Sequence, residues 1–300
     1  MKRFCNILAA VDLAYGDQLV SPELSPPNRE VVRQAVNLAA ESGARLVLYT
    51  SLDVSEDTQK LVARQQGAPG SFYDQAIQIL KSIADEAAHR NVKVEVAVGI
   101  GSGWERLIER VKDYQHDLVI AGARDRNPIS RLLFGSTAMK LLRYCPCTVW
   151  IAKPRTDVGR TTILAAHDLT DVGHRALELA ASYARLSHGQ LLVLHAFETT
   201  PHHGRAGSDV EAAERKVLSN AAQEKLCDSI SRLEDCPATE LVIRNGRADH
   251  EISLLVEQRA VDIVFMGTRS RTGLGAMFIG NTAERLLPEL NCSVIAVKPS

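Results

Sequence analysis

One type of segment occurs twice in the chain, and this duplication constrains the fold more than any other feature of the sequence. Each copy is a short apolar run followed by a glycine-containing loop and a helix-forming stretch. Residues 118–121 lead into the loop that begins at Gly122, and residues 262–266 lead into the loop that begins at Gly267. The two loops begin 145 positions apart. A glycine-containing loop between a strand and a helix leaves backbone N–H groups free for an anion, so each copy is a candidate phosphate-binding loop.

Apolar runs and helix-forming segments alternate through both halves of the chain. Each half opens with an apolar run that ends in a carboxylate, Asp12 in the first half and Asp168 in the second. This alternation predicts, in each half, a parallel sheet with helices on both faces and right-handed crossovers. Because such sheets bind ligands beyond the carboxyl ends of their strands, both carboxylates are candidate acceptors for a ligand hydroxyl or amino group. The alternative, an Asp that caps a helix, stays open.

Two local signals predict where helices begin. Pro26 and Pro27 indicate an irregular loop, so the first helix is expected to begin after Asn28. In the second half, Ser208 and Glu211 have the spacing of a capping box at the start of a long helix.

Composition and charge argue against several classes of function. The length of 300 residues corresponds to about two domains. A formal net charge of −1 gives no general attraction to nucleic acid or to an anionic membrane, so we expect neither as a partner. No apolar run approaches the roughly 18–20 residues that span a bilayer, and the run from Ile7 ends at Asp12, before a secretory core forms. We therefore expect a cytoplasmic protein, in which the six cysteines are reduced.

Motifs of efficient catalysis are missing from the sequence. It contains no nucleophile elbow, Walker loop or zinc-protease helix, so no catalytic residues are assigned. A weaker hypothesis concerns zinc, because His167 and His195 end neighbouring predicted strands and His202 and His203 follow in the next loop. Ordinary hydrogen-bonded histidines at strand ends are the favoured interpretation.

The terminal Asp, the glycine loop and a closing Cys-x-Val strand with Lys-Pro follow one another in the same order in both halves. This order resembles that of the universal stress protein (UspA) family, with two tandem domains expected at residues 1–154 and 161–300. The closing segment from Gly267, together with a degenerate first loop, is most similar to the E-type tandem members. The resemblance implies two doubly wound α/β domains, each with a five-stranded parallel sheet of strand order 3-2-1-4-5, and a role in the stress response.

In the ATP-binding branch of that family the loop reads Gly, two residues, Gly, nine residues, Gly, then Ser or Thr. The glycine amides and the hydroxyl hold the phosphates, while the Asp that ends strand one and the backbone after strand two hold ribose and adenine. The residues that the resemblance implies for domain 2 are Asp168, Ala196, Gly267, Ser270, Gly280, Asn281 and Thr282. Those of the degenerate site in domain 1 are Asp12, Thr50, Gly122, Asp125, Gly135 and Ser136.

Both loops depart from the family pattern. In domain 1 Asp125 replaces the second Gly, and two like charges about 4 Å apart at an effective dielectric near 20 repel by roughly 4 kcal/mol, about a thousandfold in affinity. In domain 2 the changes are milder, because Ser270 is small and the Asn281 amide still donates. Arg269 and Arg271 add positive charge beside Ser270. ATP or another adenine nucleotide is therefore expected in domain 2 rather than in domain 1.

Three functional hypotheses follow. The leading one is a stress-response protein that binds a small ligand or nucleotide without efficient catalysis. The alternatives are a weak ATPase that uses domain 2, and a scaffold or apolar-ligand binder that takes no nucleotide. The resemblance further implies that the fifth strands pair the two domains into an intramolecular pseudo-dimer, and it leaves a homodimer open.

Overall fold

The chain folds into two compact units, unit 1 at Met1–Pro154 and unit 2 at Arg155–Ser300. The structure, a computed structural model, describes residues 4–15, 18–53, 70–123, 134–155, 159–199, 207–235, 237–268 and 279–299. Within these ranges no helix combines the length and the hydrophobicity that crossing a bilayer requires.

Unit 1 alternates strands and helices along its described residues. Its strands are β1 (Asn6–Ala10), β2 (Arg45–Leu52), β3 (Val94–Ile100), β4 (Leu118–Gly122) and β5 (Thr148–Ala152). Its helices are α1 (Pro26–Ser42), α2 (Phe72–Ala88), α3 (Gly103–Tyr114) and α4 (Ser136–Tyr144). All strand pairs are parallel, and β1 lies between β2 and β4, with β3 and β5 outside them.

Unit 2 repeats this plan. Its strands are β6 (Thr162–Ala166), β7 (Gln190–Phe197), β8 (Thr239–Asn245), β9 (Ile263–Gly267) and β10 (Ser293–Val297). Its described helices are α5 (Asp171–Leu186), α6 (Gly207–Ser231), α7 (Ala248–Gln258) and α8 (Asn281–Leu286). The parallel pairs give the order β8-β7-β6-β9-β10. The predicted fold class and the order 3-2-1-4-5 are thus confirmed in each unit.

The central strand of each sheet is buried on both faces. Ile7, Leu8, Ile163 and Leu164 each expose 0% of their surface. Consecutive residues of a strand point to opposite faces, so full burial at neighbouring positions requires helices on both sides. Each such side chain contributes roughly 1.5–3 kcal/mol by leaving water. These cores hold the carboxyl ends of the strands in fixed positions, which is where a ligand site can form.

Helix α1 begins earlier than its prolines predict. The first helical residues are Pro26 and Pro27, and Ser25 is the N-cap. A proline lacks an N–H, but the N–H groups of the first helical turn have no intrahelical acceptor, so proline there loses nothing. The prolines therefore start the helix instead of delaying it past Asn28.

Helix α6 also begins before its predicted cap. It already includes Gly207, so Ser208 lies inside the helix and is not its N-cap. The Glu211 carboxylate accepts a hydrogen bond from the Thr199 hydroxyl at 3.5 Å and pairs with Arg215 at 3.8 Å. The capping box predicted at this position is therefore wrong, because the spacing alone does not identify the helical register.

Candidate functional site

A cleft of about 260 Å³ opens at the carboxyl edge of the sheet in unit 2. The ends of β6, β7 and β9 contribute to it together with residues of α7 and α8. Its lining consists of Ala166, His167, Asp168, Leu194, Ala196, Ala248, Ile252, Met266, Gly267, Ile279, Gly280, Asn281, Thr282 and Ala283. A mainly apolar lining with a few polar groups is typical of small-molecule sites, and the volume of this cleft lies just below the range of roughly 300–1,000 Å³ that such sites have.

The structure brings together most of the residues predicted for domain 2. Asp168, Ala196, Gly267, Gly280, Asn281 and Thr282 all line this one cleft. The remaining predicted residue, Ser270, and the flanking Arg269 and Arg271 lie outside the described residues.

Asp168 is held by the turn that leads into α5. Its Oδ1 accepts hydrogen bonds from the Thr170 backbone N–H, at 3.2 Å, and from the Thr170 hydroxyl. The Thr170 hydroxyl oxygen in turn accepts from the Gly173 N–H at 3.2 Å, which makes Thr170 the N-cap of α5. Asp168 is therefore not the N-cap of α5, but it orients Thr170, which is. Sequence reasoning missed Gly173, where a Cβ would lie 2.5 Å from Asp168 Oδ1.

Gly267 has a packing role that is independent of any ligand. A Cβ at this position would lie 3.1 Å from the Gly173 nitrogen and 3.1 Å from Val172 Cγ1. Its small size therefore lets α5 approach β9 closely. The next residue, Thr268, donates its hydroxyl to the Val297 carbonyl at 3.1 Å, which fixes the point where the chain leaves the sheet.

Gly280 is required for its backbone conformation. Its φ is +96°, and a Cβ would meet no atom of the described residues within 4 Å. Residues with a side chain rarely adopt this φ, so the constraint is conformational and not spatial. This glycine places Asn281 and Thr282 at the edge of the cleft.

Each of the two described histidines of the zinc hypothesis uses its Nδ1 atom in a hydrogen bond to backbone. His195 donates Nδ1–H to the His167 carbonyl at 2.8 Å, and His167 Nδ1 accepts from the Leu169 N–H at 2.9 Å. Burial lowers the pKa of His167 to about 4, with Asp168 opposing this and His174 adding to it. His202 and His203 lie outside the described residues.

Across the part of the chain that the structure describes, no three His, Cys, Asp or Glu side chains are arranged to hold a metal ion. Cys145 and Cys147 lie with their sulfurs 3.6 Å apart, and the hydrogen bond between them, together with burial, raises the pKa of Cys147.

The corresponding turn of unit 1 has different chemistry. Asp12 accepts a hydrogen bond from the Ala14 N–H at 3.0 Å, and its own N–H donates to Asn28 Oδ1 at 2.9 Å. A Cβ at Gly122 would lie 3.1 Å from Pro27 Cβ, so this glycine also allows close helix packing. Gly135 and Ser136 form the start of α4. Asp125 lies outside the described residues.

The pairing of the strands corrects one predicted equivalence between the domains, that of Thr50 with Ala196, by one residue. Ala10 pairs with Tyr49 in unit 1, and Ala166 pairs with Leu194 in unit 2. Both alanines stand two positions before the terminal Asp of their unit. Thr50 therefore corresponds to His195, and the counterpart of Ala196 is Ser51.

Apolar residues of the cleft escaped sequence reasoning. Ala248 and Ile252 line it from α7, and Met266 and Ile279 line it from the two sides of the second loop. The topology gave a signal for Ala248 and Ile252, since the helix after β8 begins at the same edge of the sheet at which Asp168 follows β6. Their small or apolar side chains resemble ordinary core residues, so the sequence does not distinguish them.

Fold and site together define a tandem α/β protein with a cleft of about 260 Å³ at the carboxyl edge of its second sheet. The family model of the universal stress protein family matches residues 6–153 and 159–298. The chain therefore belongs to the universal stress protein family and carries two of its domains in tandem.

Relatives and solved structures agree with this membership along the whole chain. The chain is similar to universal stress protein E of Photorhabdus laumondii, at 22% identity with 100% of this chain and 96% of the relative covered. It is also similar to universal stress protein E of Escherichia coli K12, at 24% identity with 95% and 94% covered. Among solved structures, a functionally unknown protein from Pseudomonas aeruginosa PAO1 aligns with a TM-score of 0.69 at 21% identity, with 99% of this chain and 93% of that chain covered. A universal stress protein from Archaeoglobus fulgidus aligns with a TM-score of 0.66 at 18% identity, with 98% of both chains covered. At these identities the structural likeness concerns the fold.

Proposed function

We propose that unit 2 binds an adenine nucleotide in the cleft at its sheet edge, and that the protein acts in the stress response as a ligand-binding protein without efficient catalysis. The observation that carries this proposal is the convergence of Asp168, Ala196, Gly267 and Asn281 on one cleft. These residues come from separate segments, and the loop resemblance selected them without reference to the cleft.

The chemistry of the lining suits the parts of a nucleotide. Apolar residues such as Leu194 and Ile252 offer a dry surface for a base, and the Asp168 carboxylate is an acceptor for ribose hydroxyls. Gly280 and Asn281 stand where the second loop returns to the sheet edge, so the Asn281 amide can donate to a phosphate oxygen. The lining therefore divides into an apolar part and a hydrogen-bonding part, as a nucleoside phosphate requires.

Unit 1 is proposed not to bind ATP. Its loop carries Asp125 in place of the second Gly, and a carboxylate that faces a phosphate at about 4 Å would disfavour binding by about a thousandfold, unless Asp125 turns outward. The two units of one chain are thus proposed to differ in function although they share a fold.

The test is isothermal titration of the full chain with ATP and Mg²⁺, using a pair of variants at equivalent positions. Ala248 is the first residue of α7 and lines the cleft, while Gly103 is the first residue of α3 in unit 1. Ala248→Trp fills the cleft and is expected to weaken binding at least a hundredfold. Among the described residues, no atom lies within 4 Å of a Cβ built at Gly103, and Gly103→Trp is expected to leave the affinity unchanged. Wild-type protein that shows no saturable binding, or equal losses in both variants, would contradict the proposal.

A further inference from the structure

The two helical walls of the cleft come from separate segments, and a hydrogen-bonded carboxylate joins them. Ala248 and Ile252 belong to α7, whereas Asn281 and Thr282 belong to α8. The residue between these walls is Asp249, the second residue of α7, which does not itself line the cleft.

Asp249 accepts hydrogen bonds from arginines on both sides. Its Oδ2 accepts from Arg285 Nε of α8 at 3.1 Å and from Arg247 Nη2 at 2.6 Å, and its Oδ1 accepts from Arg285 Nη2 at 3.4 Å. The Asp249 side chain is 12% exposed, while those of Arg285 and Arg247 are 52% and 57% exposed. Burial acts to raise the pKa of Asp249, but the hydrogen bonds from Arg247, from the Asp249 backbone N–H and from Arg285 together outweigh it, and the pKa is lowered. The carboxylate is thus ionised, and we name these three residues the Asp249 clamp.

Unit 1 links the same two helix positions by different chemistry. Trp104 is the second residue of α3, as Asp249 is of α7, and Lys140 is the fifth residue of α4, as Arg285 is of α8. There the Lys140 ammonium lies 4.7 Å from the centre of the Trp104 ring. A cation–π contact thus replaces the ion pair. A contact at these positions is present in both units while its side chains differ, which indicates that the helix-to-helix link itself matters.

Helix α8 needs such a link because it is short. It has 6 residues, and its first residues, Asn281 and Thr282, are the ones that line the cleft. A helix of this length is not stable by itself and depends on tertiary contacts. Its buried residues Ala283 and Leu286 pack it onto the unit, while Arg285 donates hydrogen bonds from it to Asp249 of α7.

We propose that Asp249 is a positioning residue for the nucleotide cleft of unit 2, which holds α8 against α7 so that Asn281 and Thr282 face the ligand. This inference rests on the proposed function of that cleft. Asp249 does not contact the ligand and acts through the placement of α8. Loss of the clamp lowers ligand affinity while the fold stays intact.

The experiment compares Asp249→Asn with a control from another ion pair of the same unit. Glu240→Gln removes the carboxylate that pairs with Arg259, a contact between β8 and the end of α7 that does not line the cleft. Full-length variants are titrated with ATP and Mg²⁺, their melting temperatures are measured, and amide hydrogen exchange is followed for residues 281–286 without ligand. Asp249→Asn is expected to weaken ATP binding roughly three- to tenfold and to speed exchange in α8, whereas Glu240→Gln changes neither.

A second substitution separates positioning from general destabilisation. Arg285→Gln removes the same link from the α8 side, so the double variant with Asp249→Asn is expected to bind no more weakly than the weaker single variant. Unchanged affinity and unchanged α8 exchange in Asp249→Asn would overturn the clamp, as would an equal loss of affinity in Glu240→Gln. No binding by wild-type protein would instead overturn the proposed function, and with it the role of Asp249 in binding. The exchange measurement needs no ligand, so it shows separately whether Asp249 holds α8 against α7.

Discussion

At the scale of single residues, the edge of the cleft depends on positions where a side chain is costly. Gly280 has a left-handed backbone, Gly267 lies against α5, and Gly173 leaves room for Asp168. Sequence reasoning selected the first two as phosphate-binding glycines. The structure gives each of them a second reason to be glycine, so glycine at these positions does not by itself demonstrate a ligand.

Gly280 provides a test of backbone strain. Gly280→Ala is expected to destabilise unit 2 by about 1–3 kcal/mol, because alanine is strained at a φ of +96° although its Cβ meets nothing within 4 Å. Gly103→Ala is the matched control, since its Cβ is equally free and its φ lies outside the left-handed region. The control is expected to be neutral or to stabilise by up to about 1 kcal/mol. Urea unfolding monitored by circular dichroism measures both, and equal effects would contradict the strain argument.

His116 and His167 make stability depend on pH. Burial lowers the pKa of each to about 4 from an ordinary value of 6.5. Between these two pH values the unfolded chain binds more protons than the folded chain, so the free energy of unfolding rises with pH. Each buried histidine leaves the folded state fully stable above pH 6.5. As the pH falls towards 4, protonation of the unfolded chain lowers the free energy of unfolding by about 3 kcal/mol per histidine.

The variant His116→Phe isolates one of these contributions. Phenylalanine keeps a ring beside Tyr114, whose centre lies 6.4 Å from that of His116, but cannot be protonated. The free energy of unfolding of this variant is expected to fall less between pH 7 and pH 5 than that of wild-type protein. His89→Gln, at an exposed position, serves as the control. A pH dependence of His116→Phe that matches wild type would refute the assignment.

At the scale of elements, helix capping differs between the two units in a way that can be measured. Thr170→Ala is expected to cost about 0.5–2 kcal/mol, because the Thr170 hydroxyl oxygen accepts from the Gly173 N–H at the start of α5. Ser102→Ala is the control, since Ser102 stands at the N-cap of α3 without a side-chain cap bond. Thermal or urea unfolding distinguishes the two, and a Thr170→Ala variant as stable as Ser102→Ala would show that the cap contributes nothing.

Much of the element order was predictable because both halves carry strong apolar periodicity. The closing Cys-x-Val strands that the sequence predicts are observed as β5 and β10, which begin directly after Cys147 and Cys292. Other boundaries could not be predicted from local signals. Pro26 predicts a break in the helix unless it is known to lie in the first helical turn. Ser208 and Glu211 have the spacing of a capping box, although the helix has already begun at Ser208.

Residues of the candidate site were predictable only where a motif names them. Asp168 and Gly280 could be selected from the loop pattern, but Ile252 and Asp249 could not. Their positions depend on how α7 and α8 pack, which is a long-range property of the fold. The shift from Thr50 to Ser51 has the same origin, because the register between β1 and β2 is set by pairing and not by the sequence of either strand.

At the scale of the whole molecule, one fold occurs twice with different residues at equivalent positions. Unit 2 has Ala248, Asp249 and Arg285 where unit 1 has Gly103, Trp104 and Lys140. Duplication preserves the sheet order in both units while these positions around the cleft change. We therefore expect one nucleotide in each chain, held by unit 2.

Native mass spectrometry of the full-length protein with added ATP tests this expectation most directly, because it counts ligands per chain. Wild-type protein is expected to carry one nucleotide per chain at saturation, Gly103→Trp to retain it and Ala248→Trp to lose it. Two nucleotides per chain, none at all, or one that survives Ala248→Trp and disappears in Gly103→Trp would contradict the account.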